Sequence, residues 1–275
     1  MTKKEIKPII KWAGGKRQLL KEIRKHTPDE FNCYYEPFFG GGAVFFDIQP
    51  PVAFINDSNL ELVNMYEVIK NEPLALIEEL KKHVNEKKYF YEIRGLDRMD
   101  SYKKLSDVQR AARLIFLNKT CYNGLYRVNS KGYFNTPYGN YKNPNIVDIP
   151  NILRISEYFN ESDITIKSGD FSDSLFGVKS GDFVYLDPPY DPINESSSFT
   201  SYTFSGFSRN EQERLKLLCD KLTNYGVKFL LSNSATDFII DLYKEYNLTY
   251  VKATRAINSV ASGRTPIDEV LVKNY

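Results

Sequence analysis

Residues Tyr34–Phe46 read YYEPFFGGGAVFF. An aromatic run of strand character enters three consecutive glycines and leaves as a helical pattern, which describes a β-strand turning sharply into an α-helix. Gly40 and Gly42 lack a Cβ, so backbone can pass close to a ligand, and the free N–H groups at the following helix start favour negative charge. This is not the dinucleotide fingerprint, because Phe45 stands where its third glycine belongs. Fifteen residues beyond Gly42, a second apolar run ends in Ile-Asn-Asp and delivers Asp57 to a strand's carboxyl edge. There a carboxylate can accept from both hydroxyls of a ribose. Turn and acid together suggest an adenosine-bearing cofactor without a pyrophosphate. A tight connection of purely structural use is the alternative for the turn alone.

Outward from this stretch, seven segments read as strands by β-branched and aromatic content: 33–38, 52–56, 163–168, 182–187, 227–232, 248–254 and 269–274. Several are nearly continuous apolar runs, as strands covered on both faces require. Helical patterns fall over 16–26, 42–48, 58–70, 150–160, 208–224 and 236–245, with SRNE at Ser208 reading as a capping box. Strands alternating with helices predict an α/β fold, a Rossmann-like, seven-stranded, doubly wound sheet. The spacing interrupts it with a mostly helical insert over 58–145, leaving 1–57 and 146–275 to form the sheet domain. Within the insert, NSKG (129–132) between YRV and YFN predicts a β-hairpin with Gly132 at positive φ. ESSSFTS (195–201) is polar enough to be a mobile segment.

The chain has 275 residues, 42% hydrophobic and 26% charged, with 37 basic and 35 acidic side chains and a formal charge of +2. No apolar run approaches the ~20 residues of a membrane span, and the amino terminus lacks a signal-peptide h-region, so a cytoplasmic protein is expected. Three scattered cysteines match neither a disulfide framework nor a zinc site, and two histidines supply little metal or proton-shuttle chemistry. No metal is expected. The charge is uneven: residues 81–145 carry 14 basic and 5 acidic side chains, +9, which leaves −7 for everything else. Between Tyr122 and Asn145 there is no acid, while Arg127, Lys131 and Lys142 alternate with tyrosines and a phenylalanine. That interleaving suits phosphate contact with base stacking, although an ordinary solvated surface is the competing reading.

Two further motifs matter. KWAGGKRQLL (11–20) resembles a phosphate-binding loop only weakly, since its first glycine is absent and Arg17 replaces the Ser or Thr. Trp12, the single tryptophan, is open to ligand stacking or core packing. VYLDPPYDP (184–192) is stronger. An apolar strand delivers Asp187, and Pro188 and Pro189 end the strand and leave their carbonyls free to accept. Tyr190 adds an aromatic face. A carboxylate, an outward carbonyl and a ring form a receptor for a planar group bearing an NH2.

Asp-Pro-Pro-Tyr, with KWAGGK, EPFFGGG, the Ile-Asn-Asp at Asp57 and NGLYRVNSKGYFNTPYGNYKNP (123–144), resembles the Dam family of DNA N6-adenine methyltransferases. The resemblance covers nearly the whole chain, in the family's order of motifs. It implies a site-specific, adenine-directed DNA methyltransferase that uses S-adenosylmethionine on double-stranded DNA, flips its target adenine, and acts on GATC. A restriction endonuclease of the same specificity would be the companion in a restriction–modification pair. By motif, Trp12, Lys16, Glu36, Phe38 and Gly40 would line the cofactor site, Asp57 would take the ribose, and Asp170 and Phe171 the cofactor adenine. Asp187 would lie where cofactor and substrate meet, with Pro188, Pro189 and Tyr190 completing the catalytic motif. Lys11, Leu125, Arg127, Pro137 and Tyr141 would contact DNA. Cytosine N4 methylation, a DNA-binding module with a vestigial pocket, and a nicotinamide oxidoreductase are the competing readings.

Overall fold

The computed structural model describes residues 5–193, 207–254 and 266–275. The ESSSFTS segment lies outside them. Seven strands make one sheet: β1 (Tyr34–Glu36), β2 (Val52–Asp57), β3 (Asp163–Ser168), β4 (Phe183–Leu186), β5 (Lys228–Ser234), β6 (Asn247–Thr254) and β7 (Pro266–Lys273), in the order β3-β2-β1-β4-β5-β7-β6. All pairings are parallel except those of β7, which runs antiparallel to both β5 and β6. Each expected strand is present, β3 with the expected ends and the others with ends shifted by at most three residues.

Residue alternation explains why the central strands are apolar throughout. Tyr34 in β1, Ala53 and Ile55 in β2, and Phe183 and Tyr185 in β4 enter one buried cluster, while Tyr35, Val184, Leu186, Phe229 and Leu231 enter the cluster on the opposite face. Both faces are therefore dry, as in a three-layer α/β fold. The first face is covered by α1 (Leu20–His26), α2 (Ala43–Ile48), α3 (Leu60–Asn71) and α7 (Ile149–Glu161), the second by α8 (Arg209–Asn224) and α9 (Asp237–Leu242).

Between β2 and β3 the chain adds α4 (Pro73–Lys81), α5 (Lys87–Gly95) and α6 (Asp107–Thr120) to α3 and α7. Leu76, Leu80, Phe90, Ile115 and Phe116 of these helices belong to the same buried cluster as Tyr34 and Ile55 of the sheet. One hydrophobic mass runs from sheet to insert. The complete capping box is on α6, where Ser106 Oγ accepts from Gln109 N–H and the Gln109 side chain accepts from Ser106 N–H. At Ser208 only half of the expected box forms: Ser208 Oγ accepts from Glu211 N–H, while the Glu211 carboxylate pairs instead with Arg214 at 2.6 Å. The hairpin is present but slight, with single antiparallel bridges Val128↔Phe134 and Cys121↔Tyr138, and Gly132 at φ 79°. Among the described residues no helix is long and apolar enough to cross a membrane.

His83, just after α4, stacks on Phe116 of α6 at 4.6 Å and pairs through Nδ1 with the Tyr89 hydroxyl, while its buried Nε2 has no partner among the described residues. Burial holds its pKa below the usual imidazole value. The folded protein thus resists a proton that the unfolded chain accepts below about pH 6.5, so stability falls as pH drops through that value. The buried Glu36 carboxyl, shifted upward, contributes a slope of opposite sign. Urea denaturation at about pH 8 and about pH 5.5 should therefore show a smaller acid loss in His83→Gln than in the wild type.

Candidate active site

The strand order reverses between β1 and β4, since β2 and β3 lie beyond β1 while β5 lies beyond β4. Ligands of open α/β sheets bind in the crevice that such a reversal leaves at the carboxyl ends. Glu36 ends β1, Asp57 ends β2, Asp187 follows β4, and Ser232, Asn233 and Ser234 end β5.

At the centre, Asp187 Oδ1 lies 2.7 Å from Lys16 Nζ and 3.0 Å from the donating Ser232 hydroxyl. Oδ2 accepts no hydrogen bond among the described residues. Burial raises the Asp187 pKa, and the Lys16 ammonium and the Ser232 hydrogen bond oppose that shift. Lys16 is itself 5% exposed, donates to the Gly14 carbonyl, and sits 4.6 Å from the Tyr190 ring centre. The Tyr190 hydroxyl donates to Glu269 of β7 at 2.7 Å. Behind this group, burial drives the Glu36 carboxyl well above the ordinary range, against the hydrogen bond it accepts from Tyr34 at 2.7 Å.

The loop after β4 is braced from below. Gln212 of α8 donates to the Pro189 carbonyl at 2.9 Å, and Asn233 donates in turn to Gln212. Asp191 takes the Thr236 hydroxyl and the Arg209 guanidinium. The two proline carbonyls are therefore not equivalent, contrary to the reading that leaves both free. Pro189's is used internally, and Pro188's accepts nothing among the described residues.

The glycine turn is held by the acid expected beside it. Gly40 N–H donates to Asp57 Oδ2 and Asn59 N–H to Oδ1, both at 2.9 Å. Burial raises the Asp57 pKa against these two bonds. A carboxylate accepts about four hydrogen bonds, so capacity for an outside donor remains. Gly40 N–H is thus taken by Asp57, while among the N–H groups expected to favour an anion at the start of α2 that of Phe45 is directed at the Glu36 carboxyl. Gly40 has φ 51°, and a Cβ there would lie 2.8 Å from Trp12 Cδ1. Trp12 also stacks on Tyr126 of the insert at 5.0 Å, so one indole touches both the turn and the hairpin.

On the sheet's other face, Phe38 stacks on Phe171 at 5.2 Å, and Phe207 closes against both rings. Asp170 sits at the rim, its pKa pulled well below the carboxylate range by the hydrogen-bonded Arg214 guanidinium. The same guanidinium lies 4.1 Å from the Phe171 ring centre.

Of the five residues expected at DNA, Leu125, Arg127, Pro137 and Tyr141 lie on the insert, and Lys11, from the amino-terminal segment, packs against it. Arg127 is exposed, with Nε donating to Asn135 Oδ1 across the hairpin at 2.7 Å. Leu125 and Tyr141 are half-buried and Pro137 is exposed. Lys11 backbone exchanges two hydrogen bonds with the Asn118 side chain, and its aliphatic stem would lie 2.7 Å from a Cβ at Gly124. Among the described residues none of the five touches Asp187. Sequence reasoning missed Ser232, Gln212, Asn233, Arg214 and Glu269. The polar triplet Ser-Asn-Ser closing the apolar strand LLSNS was the available signal for two of them.

Among the described residues no cluster of three metal-ligating side chains occurs. The family described as D12 class N6 adenine-specific DNA methyltransferase matches residues 12–257. The chain is 47% identical to the type II methyltransferase M1.LlaDCHI of Lactococcus lactis subsp. cremoris, over 100% of this chain and 97% of that protein. Identity is 43% to the type II methyltransferase M.MjaIII of Methanocaldococcus jannaschii, over 98% and 100%. It is 33% to a DNA adenine methylase of Vibrio cholerae, over 98% and 96%.

Gly40→Ala should lower stability by about 1–3 kcal/mol, through the positive φ and the Trp12 contact together. Chemical denaturation followed by the single tryptophan's own fluorescence measures it, with wild-type stability the contrary result.

Proposed function

The chain belongs to the D12 class of N6 adenine-specific DNA methyltransferases, and on that premise we propose that it methylates the N6 nitrogen of an adenine flipped out of double-stranded GATC, with S-adenosylmethionine as donor. Family membership favours adenine over cytosine N4 and sets aside the oxidoreductase and vestigial-pocket readings. The carrying observation is the pairing of Asp187 with Pro188: Oδ1 is tied to Lys16 and Ser232, while Oδ2 and the Pro188 carbonyl remain to accept.

The lining suits the donor. The stacked Phe38–Phe171 pair offers an aromatic edge for an adenine, and Asp57 keeps acceptor capacity for its ribose. Asp170 is engaged by Arg214 at both oxygens and has only the remaining lone pair of Oδ2 for the amino group, and the Gly40 turn leaves room where a Cβ would strike Trp12. Lys16, Glu36 and Asp187, at the carboxyl ends of β1 and β4, would supply the polar end of the same site. S-adenosylmethionine, when bound, supplies an electrophilic methyl on a sulfonium.

Adenine's amino lone pair is delocalised into its ring and is a poor nucleophile. Asp187 Oδ2 and the Pro188 carbonyl, accepting its two N–H groups, draw that lone pair out of conjugation and stabilise the positive charge that develops on nitrogen. Tyr190, pinned at its hydroxyl by Glu269, gives the extruded base a stacking surface that offsets the few kcal/mol of unpairing. One amino proton must then leave, and Asp187, with its raised pKa, is the nearest acceptor on its way to solvent. In the insert (58–145), Asn135 holds Arg127 by Nε, which leaves the guanidinium fork for O6 and N7 of guanine. Lys11, Leu125, Pro137 and Tyr141 form the rest of the reading surface. The higher identity to two type II methyltransferases than to the DNA adenine methylase supports work beside a restriction endonuclease of the same specificity.

Two variants test this reading. Asp187→Ala should transfer no label from methyl-labelled donor to unmethylated plasmid, and near-wild-type turnover would overturn the assignment. Arg127→Ala should lose about 1–3 kcal/mol of discrimination between GATC and a duplex changed at its guanine. Unchanged discrimination would remove Arg127 from the reading set.

A further inference from the structure

Asp187 Oδ1 is gripped from two sides by unlike groups. Lys16 is a cation whose three ammonium hydrogens rotate about a flexible stem. Ser232 is a hydroxyl on a rigid strand, fully buried in β5. It has a single proton, and donation to the carboxylate at 3.0 Å uses it. At its 3.1 Å contact with the Tyr185 hydroxyl, Ser232 must therefore accept and Tyr185 must donate. The outcome is a directional chain, Tyr185 O–H to Ser232 O–H to Asp187 Oδ1, carried on adjacent parallel strands. Tyr185 pairs with Leu230 across the ladder, which brings Ser232 level with Asp187 two residues further along, on the same face.

We propose that Ser232 is a positioning residue for methyl transfer: its hydrogen bond, oriented by Tyr185, fixes Oδ1 so that Oδ2 of Asp187 faces the amino group of the target base. The proposal rests on reading Asp187 as the acceptor of that amino group. Ser232 lies outside the motifs that carried the functional reading, and Tyr185, though within VYLDPPYDP, was given no role there. A hydroxyl that only fills space would be interchangeable with any group of its volume. One that orients a carboxylate would not.

Single-turnover methylation of unmethylated plasmid by the full chain, with labelled S-adenosylmethionine, tests it. Ser232→Ala should slow the transfer step about 10–100-fold, with KM for donor and DNA within about twofold of wild type. That variant also strands the buried Tyr185 hydroxyl and loses stability on that account. Tyr185→Phe combined with Ser232→Ala removes both polar groups and should recover most of the stability while the rate stays low. Ser232→Thr, which keeps the hydroxyl on a residue suited to a strand, should recover most of the rate. A double variant regaining rate together with stability overturns the proposal, since Ser232 would then matter only to packing. So does a fast Ser232→Ala beside an inactive Asp187→Ala, a result that leaves the role of Asp187 standing. An active Asp187→Ala overturns both.

Discussion

A carboxylate largely withdrawn from water has to be compensated by charge and hydrogen bonds, and in this molecule that requirement falls on Asp187. Desolvation of an ion costs several kcal/mol unless charge and hydrogen bonds replace the lost hydration. Lys16 supplies the charge at 2.7 Å and Ser232 the hydrogen bond at 3.0 Å. Each has its own support, the Gly14 carbonyl for the lysine and the Tyr185 hydroxyl for the serine. The loop carrying the acid is fixed in turn by Gln212 on the Pro189 carbonyl and by Thr236 and Arg209 on Asp191. Elements from four places in the chain thus converge so that one oxygen, Oδ2, can be left for use. Incomplete satisfaction of a largely shielded acid is costly, and here it coincides with the point where chemistry is expected.

The sheet was legible because both faces of its central strands are dry. Runs such as FVYL and KFLL carry no polar face to confuse with a helix, and turn residues bound them. The hairpin was legible from Asn-Ser-Lys-Gly, since only a residue tolerant of φ 79° closes that turn easily. Features tied to strand ends, Gly40 after β1, Asp57 at the end of β2 and the contiguous run Asp187–Tyr190 after β4, could be placed by strand logic alone. What stayed hidden depends on contacts across strands and helices. Asp170 reads as a free acceptor until α8 folds over it and brings Arg214 to both its oxygens. The same arginine takes Glu211 away from the capping box its spacing suggests. Nothing in the order of residues distinguishes the Pro188 carbonyl from that of Pro189, because the difference is made by Gln212, 23 positions away from Pro189. Trp12 was open between two roles, and it serves as a wall shared by the Gly40 turn and by Tyr126.

The local charge map and the core give different pictures of the same insert. By charge, residues 81–145 stand apart from the remainder of the chain, +9 against −7. By packing they do not, since Phe90, Ile115, Phe116, Tyr126 and Phe134 share one cluster with Tyr34, Ile55 and Tyr185. The segment is electrostatically distinct and mechanically continuous with the sheet.

That continuity governs how specificity can change within such a scaffold. A reading element joined by a polar linker can be traded between proteins as a cassette. This one cannot be lifted out without opening the hydrophobic mass on which β1, β2 and β4 rest, and whatever replaced it would need to refill the same volume at native packing density. If the insert reads DNA as proposed, new target preferences would be reached through single side chains at the solvent edge of the hairpin, where Arg127 and Pro137 are exposed, and not through recombination of whole inserts.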